Sequence, residues 1–129
     1  MQVLLDVDTG VDDALALLLA LRSPHLDLSA VTCVAGNVAL DQVVHNTLTV
    51  LDVAGASGVP VACGVDGGVG PRAVPEYGVD GLGDLGLPTP SCGAVSEPAV
   101  DLLYRVIKAA DEPPVIVAAG PLSNIAALL

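Results

Sequence analysis

A chain of 129 residues, 53% of them hydrophobic, is long enough to bury a core, but Tyr77 and Tyr104 are its only aromatic residues, so that core must be built from Val, Leu, Ala and Ile. Four Lys and Arg against 15 Asp and Glu give a formal net charge of -11. That charge repels phosphate backbones and anionic membrane surfaces, which argues against nucleic acid and membrane as partners and leaves small neutral molecules open.

The first predicted element is a strand from Gln2 to Val7, apolar on both faces as a central parallel strand would be. A helix from about Asp12 to Leu21 follows; it is apolar nearly all round, which predicts deep burial, and Pro24 closes it off. Leu28 to Val34 is the next strand, ending in Ala35-Gly36-Asn37. Leu40, Val43, Val44, Leu48, Leu51 and Ala54 then recur at helical spacing, with Asp41, Gln42, His45, Thr49 and Asp52 on the other face. Gly55 and Gly58 end that helix, and Val59 to Cys63 reads as a short third strand.

From Gly64 to Gly93 glycine and proline are too dense for regular structure, and a loop of that length inside a domain is usually functional or mobile. A helix returns from about Ser96, a candidate N-cap, to Ala110, with Val100, Leu103, Tyr104 and Ile107 in register. Pro113-Pro114 precedes a strand from Val115 to Ala119, and Gly120-Pro121 opens a last helix with Pro at its first position. The alternation predicts an α/β fold: an open, mostly parallel sheet with helices on both faces, in Rossmann-type layering. Residues 1–129 would form one portion of a single domain, with 64–93 as a long loop within it. The last helix is short and carries no C-cap at Leu129, which suggests a fragment of a longer domain.

The terminus has no basic segment ahead of an apolar one, and the run Ala14 to Leu21 stops at Arg22-Ser23-Pro24. A soluble, cytoplasmic protein is expected. Cys33, Cys63 and Cys92 are odd in number and lack metal-ligand spacing, so they read as reduced, ordinary cysteines.

The chemistry concentrates in Asp6-Val7-Asp8-Thr9-Gly10-Val11-Asp12-Asp13. Four carboxylates where a buried strand ends and a helix begins are costly to hold together unless a cation sits among them. A capping box made by Thr9 and Asp12, with Asp12 and Asp13 at the positive end of the helix dipole, accounts for half of them. It leaves Asp6 and Asp8 unexplained. An EF-hand fails on spacing, because Gly10 and Val11 stand where an acidic residue and the turn glycine belong and Leu17 stands where the bidentate Glu should be. The DxDxT run matches the haloacid-dehalogenase signature, with Asp6 as nucleophile and Asp8 as acid, but Lys108, the only lysine, falls within a helix.

Five blocks in order are similar to the N-terminal part of the inosine-uridine preferring nucleoside hydrolases: DVDTGVDDALAL, VAGN at Val34 to Asn37, GVPVACG at Gly58 to Gly64, YGVDGLG at Tyr77 to Gly83, and AAGPLSNIA at Ala118 to Ala126. The resemblance implies hydrolysis of the N-glycosidic bond of a ribonucleoside to base and ribose by a calcium-bound water. It implies Asp8 and Asp13 as calcium ligands, Asp8 also as general base, the Ala119 carbonyl as a third ligand, Asp12 and Asn37 on the ribose or the water, and Asp6 as support behind them. A small ribonucleoside would be the partner, nucleoside salvage the setting, and a homo-oligomer is compatible.

Three departures stand out. Thr9 replaces the family's usual Pro, Tyr77 replaces a His common before the glycine, and the family's chain is more than twice as long. Its remaining calcium-binding Asp and the His that protonates the leaving base lie beyond Leu129, so a weakly active fragment, a non-catalytic metal-binding remnant and a haloacid-dehalogenase-like phosphatase using Asp6 and Asp8 are alternatives. His25 and His45 read as solvated, and Arg72 and Glu76 as surface residues within reach of substrate.

Overall fold

The computed structural model describes residues 1–65 and 75–129. Four strands, β1 (Gln2–Val7), β2 (Asp27–Cys33), β3 (Val61–Cys63) and β4 (Val115–Ala118), pair in parallel in the order β3-β2-β1-β4. Helices α1 (Val11–Arg22), α2 (Leu40–Val53), α3 (Ala99–Ala109) and α4 (Ser123–Leu128) connect or follow them. This is the expected open parallel sheet with helices on both faces.

The period-2 alternation of β1 divides the core. Val3, Leu5 and Val7 pack with Leu17, Val43, Val50 and Leu51 of α1 and α2 on one face. Leu4 turns to the other face with Ala30 and Ala62, under Leu102, Leu103 and Val106 of α3. Asp6 shares that second face, so the alternation places a carboxylate where an apolar side chain would otherwise stand. The order of connection reverses between β1 and β4, and in open parallel sheets the crevice for a ligand opens there, outside the carboxyl ends of the strands.

Several boundaries and faces differ from the pattern reading. Helix α1 buries only Asp13, Leu17 and Ala20, while Leu15 and Leu19 are 63% and 69% exposed, so an all-apolar helix presents one stripe inward and one outward. Thr49 is buried rather than on the polar face of α2, and Tyr104 is exposed rather than in the core stripe of α3. Pro98, not Ser96, is the N-cap of α3; Leu122 is the N-cap of α4, so Pro121 lies ahead of the helix. Strand β3 starts at Val61, and β4, the sheet edge, leaves Val115 and Val117 41% and 43% exposed.

The described part of the Gly/Pro-rich loop is a built turn array. Asp84 Oδ1 accepts the Val79 and Asp80 N–H groups, and Asp80 Oδ1 accepts those of Leu82 and Asp84. Gly78, Gly81 and Gly83 supply positive φ between them, which an L side chain would resist. The array is moored to α2 by the Asn46 amide, which donates to Asp80 O at 2.7 Å. Farther along, Asp52 accepts both the N–H and the hydroxyl of Ser91, and Val95 bridges in parallel to Ala62 at the edge of β3.

Candidate active site

The acidic loop lies at the carboxyl end of β1. Its helix start differs from the capping box read from Thr9 and Asp12: the N-cap is Gly10, whose N–H donates to Asp13 Oδ2 at 3.2 Å. The Thr9 hydroxyl turns inward instead, 2.6 Å from that of Thr47, which donates to Val43 O on α2. Asn46 also reaches the loop, donating to Thr9 O at 3.2 Å. The loop is therefore tied to α2 from below by Thr9, Thr47 and Asn46.

Those carboxylates sit in two settings. Asp6 is fully buried. Its Oδ1 accepts the Thr32 hydroxyl at 2.6 Å and the Asn124 amide at 2.8 Å, while its Oδ2 is buried with no partner. Burial raises its pKa, with the two hydrogen bonds opposing and the Asp8 charge adding.

Asp8, Asp12 and Asp13 form the open side. Asp8 is half-buried; Asn37 grips it twice, its N–H donating to Asp8 Oδ2 at 2.9 Å and its Nδ2 to Asp8 O at 3.2 Å. Burial and the Asp12 charge raise the Asp8 pKa against the Asn37 bond. Asp13, 3% exposed, is pushed up to about 6 by burial first, then by Asp8 and Asp12, with the Gly10 bond opposing. Asp12 is exposed on the first turn of α1.

Two glycines let backbone close on Asp8. A Cβ on Gly36 would overlap the Asp8 carboxylate, and one on Gly120 would stand 3.0 Å from both Asp8 N and Asp8 Oδ1. Gly120 brings the strand end of β4 against the acidic loop, with Ala119 N–H donating to Asp6 O at 2.8 Å. Asn37 and the Ala119–Gly120 backbone thus lie against Asp6 and Asp8, with Asp13 within charge range of Asp8. From the other side comes Tyr77, whose ring carbon lies 2.8 Å from where a Gly10 Cβ would be. Burial first, then the Asp12 carboxylate, raises its phenol pKa.

The donor set suits a hard cation: it is made of oxygens, and its like charges raise one another's pKa. Among the described residues the one ion pair joins Arg105 to Glu97, so no described cation forms an ion pair with these carboxylates. Among the same residues no three His, Cys, Asp or Glu side chains come close enough to cage an ion alone. A metal here must therefore also draw on backbone carbonyl, water or ligand oxygens.

Residues outside the gathering divide differently. His25 is exposed, Lys108 stands over the Tyr104 ring on α3 at 5.6 Å, and Arg72 lies outside the described residues. His45 is half-buried on the wall of a cleft of about 180 Å³ between α2 and Leu82–Leu87, not free in solvent. All three cysteines are free, and burial pushes the Cys33 thiol up to about 12, which leaves it inert. Thr32, Thr47 and Asn124 were not singled out from sequence; Asn124 stands 118 positions from Asp6, and only its place in the AAGPLSNIA block hinted at it.

The sequence profile of the inosine-uridine preferring nucleoside hydrolases matches residues 3–129. The chain belongs to that family. Among its relatives, the pyrimidine-specific ribonucleoside hydrolase RihA of Citrobacter koseri is 40% identical over 133 residues, covering 98% of this chain and 42% of its own length. The RihA of Photobacterium profundum is 38% identical with the same coverage. Of solved structures, the purine-preferring ribonucleoside hydrolase from Gardnerella vaginalis superimposes at a TM-score of 0.91 with 36% identity, covering 100% of this chain and 43% of that one. The plant nucleoside hydrolase PpNRh1 superimposes at 0.90 with 34% identity over 98% of this chain and 42% of its own. The chain thus spans about 42% of the length of the relatives it matches. Nucleoside hydrolases are enzymes and are consistent with a metal cofactor. No helix of the described residues is long and apolar enough to cross a membrane.

Proposed function

We propose that this chain carries the calcium- and ribose-binding part of a ribonucleoside hydrolase, splitting the N-glycosidic bond to free base and ribose. The observation that carries this reading is the convergence of Asp8, Asp13 and the Ala119–Gly120 backbone at the reversal point of the sheet, in a chain of this family. Relatives named for pyrimidine or purine ribonucleosides support a ribonucleoside substrate; nucleoside salvage in the cytoplasm is the setting this reading proposes.

Asp8, Asp13 and the Ala119 carbonyl would hold the ion. Calcium, when bound, supplies six to eight oxygen-ligand positions that can include the ribose diol and a water made easier to deprotonate. Asp8 would accept a proton from the attacking water: its carboxylate is held in place by the Asn37 N–H, and burial raises its pKa from the ordinary carboxylate value. Asp12, exposed beside it, accepts hydrogen bonds from the sugar hydroxyls. Asn37 serves mainly by keeping Asp8 aimed, since both of its donors observed here are spent on Asp8. Asp6 acts from behind, fixing the strand end. Departure of the base passes through an oxocarbenium-like sugar, which neighbouring carboxylates stabilise by their charge.

The test is release of ribose from inosine, uridine and cytidine, with calcium and with a chelator. Calcium-dependent ribose release supports the reading. Calcium binding without base release supports the non-catalytic alternative, and magnesium-dependent phosphate release from phosphate esters would overturn both.

A further inference from the structure

We propose that Asn124 is a positioning residue for the metal site, holding the Ala119–Gly120 backbone against Asp8 through Asp6; this rests on the hydrolase reading for what the site binds. Asn124 is fully buried and its amide is committed on every side. Nδ2 donates to Asp6 Oδ1 at 2.8 Å and to Cys33 O at 3.0 Å, and Oδ1 accepts the Val65 N–H at 3.0 Å. One side chain from α4 therefore ties together the carboxyl ends of β1 and β2 and the exit of β3.

The same Asp6 also anchors the chain that leads to Asn124. Its backbone carbonyl accepts the Ala119 N–H at 2.8 Å and the Gly120 N–H at 3.3 Å. The segment 119–124 thus leaves from the main chain of Asp6 and returns to its side chain, a closed clip on a single residue two positions from Asp8. Gly120 fits so tightly that a Cβ would stand 3.0 Å from both Asp8 N and Asp8 Oδ1. Opening one end of the clip lets the Ala119 carbonyl swing away from Asp8, and a ligand displaced by a fraction of an ångström weakens an ion site. A purely structural Asn124 would instead lower stability everywhere alike.

The experiment compares the whole protein with Asn124→Ala and with Val106→Ala, a core truncation on α3 that costs stability without touching the polar network. Amide hydrogen exchange by NMR and calcium titration by calorimetry are read under conditions where all three are folded. Asn124→Ala should lose protection at the Ala119 and Gly120 amides by tenfold or more beyond any change in β2, and bind calcium on the order of ten- to hundredfold more weakly. Val106→Ala should do neither. Equal exchange profiles in the two variants, or unchanged calcium affinity in Asn124→Ala, would overturn the proposal. If the unsubstituted protein binds no calcium, the hydrolase reading fails, and the exchange profile alone still decides whether Asn124 fixes this backbone.

Discussion

Beneath the acidic loop and on top of it, the same residue type does opposite work. The floor is dry: Asp6 is enclosed by Thr32 and Asn124, and Thr9 and Thr47 close it toward α2. The rim is open on one side: Asp8 is gripped by Asn37, Asp12 is exposed, and Asp13 lies beneath them. In the floor a carboxylate serves as an acceptor that fixes strand ends, and its charge is a liability. On the rim the charge is what the proposed function would use, and the hydrogen bonds aim it. On that proposal, four aspartates in eight residues divide into one framework group and three chemical ones.

The comparison breaks most directly at Asp6. Asp6→Ala strands the Thr32 hydroxyl and the Asn124 amide in the core, and should cost roughly 2–4 kcal/mol of stability in urea unfolding. A loss below about 1 kcal/mol would show that the floor is not held by that carboxylate. Thr47→Val removes the partner of the buried Thr9 hydroxyl and should cost about 1–2 kcal/mol, with calcium affinity changed little, because no rim group bonds to Thr47.

The rim also has a pH signature. Asp13 rises from 3.8 to about 6 in the folded chain, and burial raises Asp6 and Asp8 in the same sense. Between those values the folded state binds more protons than the unfolded one, so stability increases as pH falls and is lost as pH rises toward 6 and above. With a chelator present, the urea midpoint should therefore be higher at pH 5.5 than at pH 7.5, and Asp13→Asn should flatten the difference. A higher midpoint at pH 7.5 would contradict the charge crowding. Calcium binding should run the other way, weakening as pH drops through 6, because the ligands must be ionised.

The position of the rim was legible in the sequence, while of the floor only Asp6 was, and Thr32, Thr47 and Asn124 were not, for a physical reason. Strand-loop-helix patterning and the acidic spacing place Asp8, Asp12 and Asp13 by local periodicity alone, and the parallel sheet follows from the alternation of elements. The floor depends on partners far apart in the chain: Asn124 meets Asp6 only because β4 pairs with β1 after a crossover, a juxtaposition no local window contains. Faces were misread where composition carried no contrast. In α1, leucines at 15, 17 and 19 are chemically alike, yet only Leu17 faces the sheet. The order in 75–87 was hidden because glycine and proline density argues against regular structure there, whereas Asp80 and Asp84 order the segment by folding back onto neighbouring N–H groups.

Asp6→Asn and Asp8→Asn make the same chemical change two residues apart, and calcium titration calorimetry on the pair tests the division between floor and rim. Asp6→Asn keeps an Oδ1 acceptor for Thr32 and Asn124, so calcium affinity should stay within a few-fold of the unsubstituted protein, while Asp8→Asn should lose on the order of a hundredfold or more. Unchanged calcium affinity in Asp8→Asn, or an equal loss in both variants, would contradict the account.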